Sequence, residues 1–214
     1  MARSAGARRR LGRPPASESA ETRERIIRAA RDCFGRYGYD KTSNQVIARR
    51  AGITSGAIYH YFESKQDLFR AVAIETQATV LQRFRAALRD DMTVVEKVGS
   101  LLDAAVALHR EDSSMARFVS TSPMEISRHE DFQDLATGPL LETLRFFEEI
   151  AREGRERGEV APDVTDAAVA DMLMATTTGI ALFGGFVEDL SAHAETTAAF
   201  RRLVEGTLLR ARTS

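Results

Sequence analysis

The chain has 214 residues, 43% hydrophobic and 29% charged, which supplies apolar material for a packed core and argues against a disordered chain. Cys33 is the only cysteine and the four histidines, at 60, 109, 129 and 193, show no ligand spacing, so no disulfide within the chain, no metal site and no cofactor is expected. The formal net charge of −1 divides unevenly: residues 1–70 hold 15 Lys+Arg against 7 Asp+Glu and the rest hold 15 against 24, the asymmetry of a chain with one end facing a polyanion.

Residues 1–20 carry five arginines and the Pro14-Pro15 pair, with Leu11 the only large apolar residue after Met1. They read as a disordered basic arm able to track DNA phosphates through Arg8, Arg9, Arg10 and Arg13. A transit peptide is the competing reading, against which the prolines stand. Charge without an apolar segment behind it argues against a secretory signal, and no run approaches the ~20 apolar residues of a membrane span. From position 21 a helical period runs through Ile26, Ala30, Cys33, Phe34 and Tyr37 to Gly38.

Two short helices follow. Thr42-x-x-Gln45 reads as a capping box before Val46, Ile47 and Ala48, Ala51-Gly52 supplies a turn, and Thr54 caps a second helix running to about Phe62. Ser64-x-x-Asp67 opens a long helix with Leu68, Val72, Val80, Phe84 and Leu88 on one face, and Thr93-x-x-Glu96 opens another through Val98, Leu102, Ala105 and His109. A loop containing Pro123, a short piece capped by Ser127-x-x-Glu130, and a helix starting at Gly138-Pro139 come next. Gly158 and Pro162 set off two last helices at about 165–185 and 194–211. No strand pattern competes, so the fold class is all-α with about nine helices.

A helix, a Gly-containing turn and a second short helix make a helix-turn-helix, whose second helix can enter the major groove. Thr54, Ser55, Gly56 and Ala57 are small enough for close approach to base edges, and Tyr59, His60, Tyr61 and Lys65 can hydrogen-bond to phosphates or bases. A solvated surface histidine is the bland reading of His60. His109 falls in the middle of an apolar face, where a ring satisfied by a neighbour or water competes with a ligand-binding role.

Thr42, Ile47-Ala48, Ala51-Gly52-Ile53, Gly56, Ile58-Tyr59, Tyr61-Phe62 and Ser64-Lys65 through Leu68 together resemble the DNA-binding domain of the TetR family of bacterial repressors. That resemblance implies a three-helix DNA-binding domain at 21–66, a helical effector-binding and dimerisation domain at 67–214, and a cytoplasmic homodimer. It places DNA contacts at Thr42 and Ser43, at Ser55, Gly56, Ala57, Tyr59, His60 and Tyr61, and at Lys65. A largely apolar small-molecule effector is expected among helices 4 to 8, lined by Phe84, His109, Met115, Phe118, Phe147 and Met172. Dimerisation is expected through Met172, Ala175, Gly179, Leu182 and Phe183 on one helix and Phe200, Val204, Thr207, Leu208 and Ala211 on the last. No Walker loop, dinucleotide glycine pattern or nucleophile elbow supports an enzyme; a DNA-binding protein without an effector is the remaining alternative.

Overall fold

In the computed structural model, which describes residues 16–186 and 190–208, ten α-helices and one 3-10 turn follow one another, with no strand among the described residues. The expected arm lies outside the described residues up to position 15, and its last five residues form the start of α1 (Ala16–Lys41). Gly38 interrupts α1 with φ 77° and ψ 173°, a conformation that costs a residue with a Cβ, and so turns the chain toward α2 (Asn44–Ala51). Ser43 caps α2 by accepting from the Val46 N–H, and Gly52 closes it in the left-handed region at φ 69°.

Thr54 caps α3 (Ser55–Ile58) through the Ala57 N–H. This helix is a single turn rather than the eight residues expected. Beyond Ile58 the chain continues as turns, with His60, Tyr61 and Phe62 donating back to Ala57 and Ile58 carbonyls. Ser64 then caps α4 (Lys65–Ala87), and the Thr93–Glu96 capping box opens α5 (Val94–Glu111), both as their sequences indicate.

Where a loop was expected around Pro123, the chain forms α6 (Ser113–Arg128) with the proline inside it. Anchoring at the N-terminal end offsets the lost bond: Asp112 caps the helix through the Ser114 N–H, and the buried Arg31 of α1 pairs with Asp112 and donates to Ser114 Oγ at 2.9 Å. Ser127 donates to the Met124 carbonyl instead of capping the next piece. A 3-10 turn (Glu130–Phe132) leads into α7 (Gln133–Thr137) and α8 (Pro139–Glu156), and α9 (Asp166–Phe186) and α10 (Leu190–Val204) complete the described chain. Helix α9 over Asp166–Gly184 is long and apolar enough to cross a membrane by length and composition, with mean hydropathy 1.4, although Asp171 and Thr176, Thr177 and Thr178 interrupt its apolar run. In the fold its Val169, Ala170, Leu173 and Ile180 are buried in the second core, a role that also selects apolar helices.

Two buried clusters form. The first joins Ile26, Phe34, Ile47, Ile58 and Phe69 and is completed from α6, the 3-10 turn and α7 by Phe118, Phe132 and Leu135. The second holds Val80, Phe84, Leu101, Leu102, Phe147, Ile150 and Leu173. Helix α4 spans both, since Leu68, Phe69 and Val72 belong to the first and Val80, Leu81 and Phe84 to the second.

Candidate nucleic-acid interface and effector cavity

The α2–α3 pair buries Ile47, Ala48, Ala51, Ile58 and Phe62 and turns its polar residues outward. Ser43, Thr54, Gly56, Tyr59 and His60 are exposed, Tyr59 at 58%, while Ser55, Ala57 and Tyr61 are half-buried. Ser43 and Thr54 each spend a lone pair on a helix N–H, which leaves the hydroxyl hydrogen free to donate. Tyr61 packs against the first core, so it presents less of its ring than its neighbour Tyr59.

Thr42 departs from the expectation. It is 1% exposed and its hydroxyl donates to the Gly38 carbonyl at 2.7 Å, with the Cys33 carbonyl 3.2 Å away. The sharp α1–α2 connection turns this side chain inward, and the cap expected of it falls to Ser43. Lys65, at the first position of α4, donates to the Tyr39 carbonyl at 2.9 Å and lies 4.1 Å from the Tyr39 ring centroid. An ammonium has three donors, so this contact positions the charge without using it up. Sequence reasoning passed over Gln45 and Val46, which are exposed at the start of α2; their exposure follows from the Ser43 cap, one residue later than Thr42.

At the other end of α4 a cavity of about 290 Å³ opens between α4, α5, α6, α7, α8, α9 and α10. Phe84, His109 and Met115 line it as expected. Phe118, Phe147 and Met172 do not. Met115, Val119, Ser122 and Ile126 repeat along the cavity face of α6, whereas Phe118 stands toward α1 and α4, 5.7 Å from the Phe69 ring in the first core. Phe147 is fully buried one layer behind the wall, its ring 6.3 Å from that of Phe84. Met172 is 53% exposed, and Met174, Thr177, Thr178 and Ala181 take the cavity face of α9 in its place.

Missed altogether was His193. The spacing His193, Thr197, Phe200, Val204 marks the inward stripe of α10, which was the available signal. His193 and Thr197 are buried, and Phe200 and Val204, expected on a dimer stripe, are half-buried against the second core. Thr207 and Leu208 are exposed beyond the helix end, and Ala211 lies outside the described residues. On α9 the expected outward residues Met172, Ala175, Gly179, Leu182 and Phe183 are all exposed.

His109 and His193 are both held below the ordinary imidazole range. Burial is the first cause for each, followed for His109 by His193 and Arg117, and for His193 by Arg110. Among the described residues, no side chain lining the cavity is an Asp, Glu, Lys or Arg.

Helix α6 links the two regions. One face lines the cavity through Val119, Ser122, Pro123 and Ile126. From the same helix Glu125 accepts from the Tyr39 N–H at 3.3 Å, and Arg117 pairs with Asp32 at 3.2 Å. Tyr39 in turn holds Lys65, so two contacts separate the cavity wall from the start of α4.

Residues 26–72 match the family model described as bacterial regulatory proteins, tetR family. Over 192 residues the chain is 27% identical to the HTH-type transcriptional regulator UidR of Escherichia coli, covering 90% of this chain and 95% of that protein. It is 35% identical over 94 residues to TtgW of Pseudomonas putida, an uncharacterized HTH-type transcriptional regulator, which spans 44% of this chain and 70% of that one. Among solved structures, Salmonella enterica GusR superposes with TM-score 0.67 at 26% identity, covering 94% of this chain and 99% of that one.

Proposed function

The chain belongs to the TetR family of bacterial transcriptional regulators, and from that premise we propose that it represses transcription from a two-fold operator and is released by a small, largely apolar effector held in the α4–α10 cavity. DNA would be met by Ser43, Thr54, Ser55, Gly56, Ala57, Tyr59, His60, Tyr61 and Lys65. Small residues at 56 and 57 leave few base-reading groups, so selectivity falls to Ser55, Tyr59, His60 and DNA shape. The observation that carries the reading is α4 itself, which starts beside the exposed α3 at Lys65 and ends on the cavity wall at Val80 and Phe84.

A second copy of the chain is the partner that a two-fold operator requires, with recognition elements about 34–36 Å or a multiple apart. The exposed apolar face of α9 at Met172, Leu182 and Phe183 is the surface for it. A ligand that shifts α4 and α6 changes the separation of the two heads and penalises operator binding without altering a base contact. A coupling of about 1–3 kcal/mol gives roughly a 5- to 150-fold loss of affinity.

Footprinting on DNA upstream of the chain's own gene tests the reading. A short two-fold protected site, relieved by small molecules that co-purify with the protein, is the expected result. Uniform coating of the DNA would replace the regulator with an architectural protein, and a monomer by sedimentation with and without DNA would remove the two-fold operator.

A further inference from the structure

Two imidazoles face each other on the cavity wall with hydrogen bonds unmade. His109 of α5 is 4% exposed and His193 of α10 is 1% exposed; their ring centroids lie 5.0 Å apart at an interplanar angle of 59°. The Nδ1 atom of each is buried without a hydrogen-bond partner. Unpaired buried polar atoms of this kind carry a desolvation penalty. Room for the pair is made from a third helix: a Cβ on Gly184 of α9 would lie 2.7 Å from His193 Cε1 and 3.0 Å from its Nδ1. The ring therefore occupies the space that a side chain at 184 would fill.

A neutral imidazole carries one N–H donor and one lone-pair acceptor, and the two tautomers differ only in which nitrogen holds the proton. Neither ring makes a hydrogen bond to another described residue, so toward an occupant of the cavity one ring can present an N–H and the other a lone pair. A hydroxyl satisfies both at once. Among the described residues the lining holds no Lys or Arg, so a carboxylate would require a proton on one ring, and it holds no carboxylate to pair with a cation. The other lining polar groups, among them Gln77, Ser122, Thr177 and Thr178, are also uncharged.

We propose that His109 and His193 are the polar anchor of this cavity and that its ligand is an uncharged, mostly apolar molecule bearing a group that donates and accepts one hydrogen bond, a hydroxyl being the simplest. This rests on the reading of the cavity as the effector site and adds the chemical class of the effector.

The test uses the full chain loaded with the neutral fluorophore N-phenyl-1-naphthylamine, displaced at pH 8 by decan-1-ol, by 1-methoxynonane, which accepts but cannot donate, and by decanoate. Decan-1-ol is expected to displace at a concentration about tenfold lower than the ether, and calorimetry in two buffers of different ionisation enthalpy to show no net proton exchange with it. In the double variant His109→Phe/His193→Phe, and separately in Gly184→Ala, the advantage of the alcohol should shrink to within about twofold while the fluorophore still binds. Should a variant lose the fluorophore, the comparison in the unaltered chain decides alone. Equal displacement by alcohol and ether overturns the anchor and leaves the cavity reading intact; tighter binding of decanoate with uptake of about one proton overturns it in favour of an anion site. Failure of the unaltered chain to bind the fluorophore removes the cavity reading and the anchor together.

Discussion

The two ends of α4 solve opposite problems. Around Lys65 the polar side chains are exposed or half-buried while the helix starts beneath them are already capped, by Ser43, Thr54 and Ser64. Around Phe84 two polar atoms are buried and unsatisfied: the Nδ1 atoms of His109 and His193 have no partner. In the reading head one buried side-chain atom, Asn44 Oδ1, also lacks a partner, but the helix starts are capped and DNA adds contacts to a surface already formed. The cavity is incomplete without an occupant, so an occupant adds to the stability of the fold as well as to its own binding.

The comparison breaks most severely where the two regions share a core. Phe69 is fully buried on α4, with ring centroids 4.5 Å from Phe132, 5.2 Å from Phe34 and 5.3 Å from Tyr39. Phe69→Ala is expected to cost about 3–5 kcal/mol by urea unfolding. Because Phe132 and Phe118 tie this cluster to α6 and the 3-10 turn, both regions should lose structure in one transition. Loss of the α2–α3 pair alone, with the second cluster intact, would show the regions to be separately stable.

Next in size is a change confined to the finished surface. Tyr59→Ala removes an exposed ring that packs in neither core, so operator affinity should fall by about 1–3 kcal/mol, read by fluorescence anisotropy, with the melting temperature unchanged. Binding to unrelated duplex should fall less. Equal losses on both duplexes would make Tyr59 a phosphate contact rather than a base reader.

The same division explains what the sequence could and could not reveal. Elements of the reading head are local: a cap, a glycine turn and apolar residues three and four apart lie within thirty positions of each other and carry a recognisable order. Thr42 misleads because a threonine beside a serine at a helix start gives two candidate caps, and only the Gly38 turn decides which faces inward. Cavity walls are assembled from six or more helices far apart in the chain, and the same apolar residue types serve as wall and as core. Phe84 and Met115 were placed on the wall and Phe118 and Phe147 were not separable from them, because one step of rotation on a helix distinguishes the two roles. Pro123 hid α6 for a different reason: its cost is offset by Arg31, 92 positions earlier in the chain.

A smaller effect separates folding from recognition at the head. Ser43→Ala deletes the α2 cap and should cost about 1 kcal/mol of stability, within a range of about 0.5–2. If Ser43 also donates to a phosphate, operator affinity falls further than in Ser43→Asn, which keeps a capping oxygen. Chemical denaturation and anisotropy on the two variants separate these contributions. Equal stability of the alanine variant and the native chain would mean that the 3.4 Å contact to Val46 N does not hold the helix start.

The smallest effect at neutral pH belongs to the cavity, and it grows on acidification. Both imidazoles are held below their ordinary value of 6.5, chiefly by burial, with Arg117 and the facing ring adding to this at His109 and Arg110 at His193. In the unfolded chain each histidine takes up its proton near the ordinary value, while in the folded chain it stays neutral to lower pH. The unfolded state therefore binds more protons as the pH falls through 6.5, and the folded state loses stability in that direction. Above the unfolded value the contribution is fully present and flat. In His109→Phe/His193→Phe that acid-side slope should be shallower, while stability at pH 8 is equal or higher because two unpaired buried nitrogens are gone. Urea unfolding from pH 8 down to pH 5.5 measures both quantities. Parallel slopes in the variant and the native chain would show that the two rings titrate alike in the folded and unfolded states, and with that the cavity would lose its standing as the unfinished half of the molecule.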